Sequence, residues 1–166
     1  MILRLALMRH AHSAWPDPRH TDLQRPLDER GRRTAPLVGR HLADIGWWPD
    51  RVACSPAARA RETWTLASEG LEAVDFQVHE TLYPGDPRAV VAILGELEEV
   101  CETLLIVAHN PGMEDCVQAL AGEMTLFGTA DVALLVRDPP EPWGDWRLDS
   151  VVRARAVAAS EPGGLP

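Results

Sequence analysis

The residues of this sequence best suited to chemistry are histidines and arginines placed at the ends of apolar stretches. The stretch LALMRHAHSAW (5–15) ends in Arg9-His10, with His12 two residues further on. A His-x-His pair in such a place could hold a metal. An Arg-His pair there could instead attack a phosphoryl group, because neutral imidazole is a good nucleophile near neutral pH and a guanidinium offers a planar fork to phosphoryl oxygens. Two further polar clusters follow apolar runs in the same way: SPAARARET (55–63), which carries Arg59 and Arg61, and His109-Asn110 after LLIVA. The metal alternative needs at least three suitable ligands, and no third ligand is evident near His12. Enzymes that use His-x-His on a first barrel strand also need a much longer chain.

What must position these residues is a set of short strands alternating with helices. Apolar runs at 2–8, 51–54, 74–78, 103–108 and 132–136 predict strands, and helix-like apolar spacing occurs near 29–45, 57–69, 88–100 and 112–121. That alternation implies crossover connections, hence a three-layer α/β/α sandwich around a mainly parallel sheet, with ligands gathering beyond the carboxyl ends of the strands. The three polar clusters then share one sheet edge. Pro36 should kink the 29–45 helix or delay its start. The region 139–166, with PPEPWGDW followed by SVVRARAVAASEPGGLP, reads as a peripheral Pro-rich turn, an edge strand and a polar, mobile end.

Composition narrows the setting. A chain of 166 residues, 46% apolar, can bury one core, so residues 1–166 are expected to form a single domain. The formal charge of −9 disfavours nucleic acid and anionic membranes as partners, so phosphate chemistry requires a local basic pocket. Every basic side chain is Arg and none is Lys, so the choice of Arg at any one position carries no information. Cys54, Cys101 and Cys116 have neither C-x-x-C spacing nor an even count, which fits a reducing cytoplasm. Arg4 interrupts the apolar N-terminal stretch and no cleavage site follows, so a buried strand is expected there instead of a signal peptide or membrane span.

Four motifs in order, RH at 9–10, RPLDERG at 25–31, SPAARARET at 55–63 and VAHNPG at 107–112, resemble the histidine phosphatase superfamily, the phosphoglycerate mutase-like fold, in its short SixA-type phosphohistidine phosphatase form. The resemblance runs from Leu3 to about Val136. It implies that His10 is the nucleophile and forms a phosphohistidine intermediate, that Arg9, Arg59 and His109 surround the phosphoryl group, and that no metal or other cofactor is needed. Glu80, in VHETLYPGD, resembles the position where many members carry a proton-donating Glu. Of the two arginines in SPAARARET the family pattern selects Arg59, and Arg61 is expected to form only a surface ion pair with Glu62 or a nearby Asp. His20, His41 and His79 read as solvated or capping residues, and Trp47-Trp48 as a helix-end packing feature.

Two departures from the family pattern bear on substrate. The usual glycine after Arg-His is Ala11, and RHAHSAWP puts Pro16 where mutases carry a phosphate-holding asparagine. The chain is also too short for the insertion that covers the pocket in mutases and phytases. An open pocket suits a phosphorylated side chain of another protein, so the implied partner is a phosphohistidine-bearing protein. The alternatives are a broad small-molecule phosphomonoesterase of the same fold and a non-catalytic phosphate- or partner-binding module.

Overall fold

The structure, a computed structural model, describes residues 1–15, 17–138 and 146–160; Pro16, most of the Pro-rich turn and the end of the tail lie outside the described residues. Six strands form one sheet: β1 (Arg4–Arg9), β2 (Arg51–Cys54), β3 (Asp75–Val78), β4 (Thr103–Ala108), β5 (Val132–Val136) and β6 (Arg147–Val152), in the order β3-β2-β4-β1-β5-β6. The first four pair in parallel, and β5 and β6 are antiparallel additions at one side. Each of the five strands expected from the apolar runs is present. Five helices flank the sheet: α1 (Glu29–Asp44), α2 (Ala58–Ala67), α3 (Pro87–Leu97), α4 (Gly112–Ala121) and α5 (Ala154–Ser160).

Strand alternation sends successive side chains to opposite faces, and both faces of the central strands are buried. Ala6, Met8, Leu105 and Val107 pack with Val38, Leu42 and Trp64 of α1 and α2, joined by Val157 of α5. Leu5, Leu7, Leu104 and Ile106 pack on the other face with Val90, Ile93, Met113 and Val117 of α3 and α4. This makes the expected three layers. No helix among the described residues is long and apolar enough to cross a membrane.

Helix α1 neither starts late nor stops at Pro36, which lies inside it. Asp28 caps it by accepting from Gly31 N. A cap contributes only about 1 kcal/mol, whereas an interior proline costs about 3 kcal/mol. Packing must therefore hold the helix, and Ala35, Val38, Gly39 and Leu42 on its buried face do so. Trp47 and Trp48 are packing residues: Arg4 lies 4.1 Å over the Trp47 ring, and Trp48 stacks on Trp64 at 5.4 Å.

The tail differs from the expectation in one respect. Its edge strand exists as β6, but residues 154–160 form helix α5 instead of a polar end. The buried Asp131 carboxylate fixes the start of that helix, accepting from Ala154 N (2.9 Å) and from Arg153 (2.9 Å). Val152, Ala154 and Val157 then join the core.

Candidate active site

Strand register brings the polar clusters together. Arg9 of β1 pairs with Ala108 of β4, so His10 and His109 each stand one residue beyond the sheet edge. Cys54 of β2 pairs with Val107, which puts Ser55 level with the same edge. The imidazoles of His10 and His109 lie 5.0 Å apart between ring centroids. Arg59 enters from the first turn of α2, and its Nε donates to His10 Nε2 at 3.3 Å. His10, Arg59 and His109 are only 7%, 4% and 5% exposed, a buried polar floor under an otherwise apolar edge.

A hydrogen bond to a backbone carbonyl fixes the tautomer of His10. His10 Nδ1 lies 2.7 Å from the Ala11 carbonyl, which can only accept, so the ring proton is on Nδ1 and Nε2 keeps its lone pair. Ser55 Oγ accepts from Ala57 N (3.3 Å) and lies 2.7 Å from His109 Nε2. The serine hydroxyl can donate to Nε2, and in that tautomer the His109 proton sits on Nδ1. That atom is buried and has no partner among the described residues. Arg9 Nη1 donates to Phe127 O (2.7 Å), while its buried Nε has no partner there. The floor thus presents an unprotonated ring nitrogen, met by Arg59, and the unspent Nε donor of Arg9.

Electrostatics keep both rings neutral. Burial, reinforced by the charges of Arg59 and Arg9, lowers the His10 pKa to about 4 against the opposing hydrogen bond to Ala11. Burial, then His10 and Arg59, lowers His109 to about 3. A neutral imidazole with an unprotonated Nε2 beside guanidiniums can attack phosphorus and have the developing charge held.

Much of each motif locks chain segments together. Thr63 accepts from Ala11 N (3.0 Å) and donates to Arg59 O, tying the nucleophile's neighbour to α2. Glu62 accepts from Leu27 N (2.9 Å) and pairs with Arg32 (2.7 Å). Arg61 was expected to use Glu62 or an aspartate; instead it is exposed and forms no ion pair among the described residues, because Glu62 is already engaged. Gly31 is required since a Cβ there would sit 2.1 Å from His12 O, and Gly112 since one would meet Gly85 O at 1.8 Å. The His12 ring is held by Asp28 at 2.5 Å, on the α1 cap and turned to that helix. Glu80 is exposed, in a short 3-10 helix (Glu80–Leu82) just ahead of Tyr83, and its side chain has no hydrogen-bond partner among the described residues.

Three participants escaped the sequence reading as individual residues: Ser55, Tyr83 and Asp22. The Tyr83 ring meets His109 edge-on at 5.4 Å, and its hydroxyl donates to Asp22 Oδ2 at 2.7 Å. Asp22 also accepts from Arg59 and from Arg25 (both 2.9 Å). Ser55 and Tyr83 lie inside quoted motifs, and only the register of β2 and the path into α3 reveal what they touch. Asp22 lies just before RPLDERG, with no spacing that marks it.

This fold and site define a phosphoryl-transfer enzyme, and comparison with known proteins agrees. Residues 5–83 match the histidine phosphatase superfamily (branch 1). An uncharacterized protein of Mycobacterium leprae is 39% identical over 168 residues, covering 93% of this chain and 99% of that one. The protein histidine phosphatase SixA, solved in complex with tungstate, superposes with a TM-score of 0.84 at 26% identity, over 93% of this chain and 99% of that chain. A mycobacterial glucosyl-3-phosphoglycerate phosphatase shares the fold at a TM-score of 0.68 and 18% identity, over 89% of this chain and 98% of that chain. The chain belongs to the histidine phosphatase superfamily and is a phosphatase of the phosphoglycerate mutase-like fold.

Proposed function

We propose that this enzyme is a phosphohistidine phosphatase, acting without a metal on a phosphohistidine-bearing protein. His10 Nε2 attacks phosphorus, the bond to the leaving group breaks, and water then takes the phosphoryl group from His10. Arg9, Arg59 and the Nδ1–H of His109 hold the phosphoryl oxygens through the in-line transition state. Glu80, exposed in the short helix just ahead of Tyr83, is the candidate to manage the proton of the leaving group or of the attacking water. The observation that carries the reading is the His10 tautomer: the Ala11 carbonyl takes Nδ1–H and leaves Nε2 as a lone pair against Arg59. The tungstate complex of SixA, an oxyanion held by a structural relative, supports a phosphoryl site in this fold. The three free, buried cysteines fit a single domain working in the reducing cytoplasm.

A competition between a phosphohistidine peptide and a panel of phosphate esters, scored by kcat/KM, tests the substrate. The peptide should be preferred over simple sugar phosphates by at least about a hundredfold, the size of a general-acid contribution that an N-linked leaving group can forgo. Equal efficiency would mean a broad phosphomonoesterase.

A further inference from the structure

Asp22 is an unexpected neighbour for a phosphoryl-binding arginine. It opens a short 3-10 helix (Asp22–Gln24) in the connection from β1 to α1, and Gln24 steadies that turn by accepting from Thr21 N at 3.0 Å. Its Oδ2 accepts from Arg59 Nη2 (2.9 Å) and from the Tyr83 hydroxyl (2.7 Å), and its Oδ1 from Arg25 (2.9 and 3.1 Å). Arg59 therefore spans two partners, His10 through Nε and Asp22 through Nη2. A site shaped only to attract phosphate dianions would not keep a carboxylate on that guanidinium, since like charge repels the substrate.

Position explains what the carboxylate can do. His10 is buried, whereas the Asp22 side chain is 49% exposed at the mouth of the pocket. In-line displacement expels the leaving group opposite the attacking Nε2, and with His10 buried that group leaves towards the exposed rim, where Asp22 lines an open pocket with Trp15 and Arg25. We propose that Asp22 is a specificity-determining residue that accepts a hydrogen bond from the leaving imidazole and so selects P–N over P–O substrates. This rests on the phosphohistidine reading above.

The electron count is simple. The substrate ring carries phosphorus on one nitrogen and a proton on the other. The His10 Nε2 lone pair forms the new P–N bond, the old P–N pair returns to the substrate ring, and the imidazole departs neutral with its N–H still facing Asp22. An alkoxide leaving group would need a proton that Asp22 does not hold, because Tyr83, Arg25 and Arg59 keep its carboxyl ionised well below the usual range. The charged and titratable groups around it are Arg59 from α2, Arg25 from its own connection, Tyr83 ahead of α3, the neutral His109 behind Tyr83, and Asp17 and His20, which line the same open pocket. When the incoming phosphoryl group takes Arg59, the Oδ2 position that Arg59 held opens to the N–H of a protonated substrate ring, while Arg25 and Tyr83 keep theirs.

The test compares wild type, Asp22→Asn and Asp22→Glu on a phosphohistidine peptide and on 4-nitrophenyl phosphate, whose leaving group needs no proton. D22N should lose about tenfold in kcat/KM on the peptide, one pKa unit of stabilisation of the cationic ring, while gaining on the aryl phosphate. The peptide loss should grow from pH 7 to pH 9, where the free substrate ring has shed its proton and only the carboxylate favours the protonated form. D22E keeps the charge and should keep the peptide preference, a result that can be read even if D22N folds poorly. Parallel changes on both substrates in either variant would reduce Asp22 to a support for Arg59 and overturn the inference alone. A wild-type enzyme that turns over the aryl phosphate but not the peptide would instead overturn the phosphohistidine reading, and this inference with it.

Discussion

The floor and the rim of the pocket are built by different means. On the floor, His10, Arg59 and His109 are almost wholly buried and tied to backbone or to buried hydroxyls: Ala11 O, Ser55 and the α2 first turn. At the rim, Asp22 and Trp15 sit on the connection from β1 to α1 and line an open pocket, Trp15 being 90% exposed. A floor set by strand register holds geometry to the precision that phosphoryl transfer demands, and it suits any phosphoryl group. A rim on loops meets whatever carries that group. On the proposed reading, chemistry belongs to the sheet edge and substrate choice to the connections.

The largest effect should come from breaking the floor. Arg59→Ala should cost about 3 to 4 kcal/mol of transition-state stabilisation in kcat/KM, the scale of removing one preorganised donor. Arg61→Ala, two residues on and exposed on α2, should stay within about 0.5 kcal/mol. Reversed effects would show that the wrong arginine lines the floor. Ser55→Ala removes the hydrogen-bond partner of His109 Nε2 and should lower kcat/KM about tenfold, the worth of one hydrogen bond of about 1.4 kcal/mol, with a fall of a few degrees in melting temperature because buried polar atoms lose their partner.

A smaller effect tests the electrostatics of the same floor. His10 and His109 are buried neutral, with folded pKa values lowered to about 4 and about 3 from 6.5. Below pH 6.5 the unfolded chain takes up protons that the folded one refuses. Their contribution to stability is therefore complete above pH 6.5 and is lost as pH falls towards 4. Melting temperature followed from pH 7 to pH 4.5 should drop, and NMR titration of the His10 ring should find its midpoint near 4. A midpoint near 6.5 would mean a ring in contact with water. At the bottom of the scale, dialysis against a chelator should leave activity unchanged, while vanadate should inhibit competitively by filling the phosphoryl position.

How far the sequence carries can be judged on the same two regions. The floor was legible because apolar runs mark strand ends, and His10, Arg59 and His109 follow three of them directly or begin the next helix. The rim was not, since Asp22 reaches Arg59 and Tyr83 across 37 and 61 residues, and such loop contacts follow from the path of the backbone alone. Helix α5 was missed for a similar reason. Its ARAVAAS segment follows β-branched residues with no turn signal between them, and its start is set by the distant Asp131 carboxylate. Arg61 shows the converse error, in which a plausible local ion pair with Glu62 lost to Leu27 N and Arg32.

The central claim is that His10 Nε2 carries the phosphoryl group in turn. Rapid mixing with a phosphohistidine peptide labelled in its phosphoryl group, followed by alkaline quenching and peptide mapping, addresses it directly. The account predicts a label on His10 that is acid-labile and base-stable, appears within one turnover and is absent from His10→Ala together with activity. A label on another residue, or a His10→Ala protein that still turns over substrate, would contradict it.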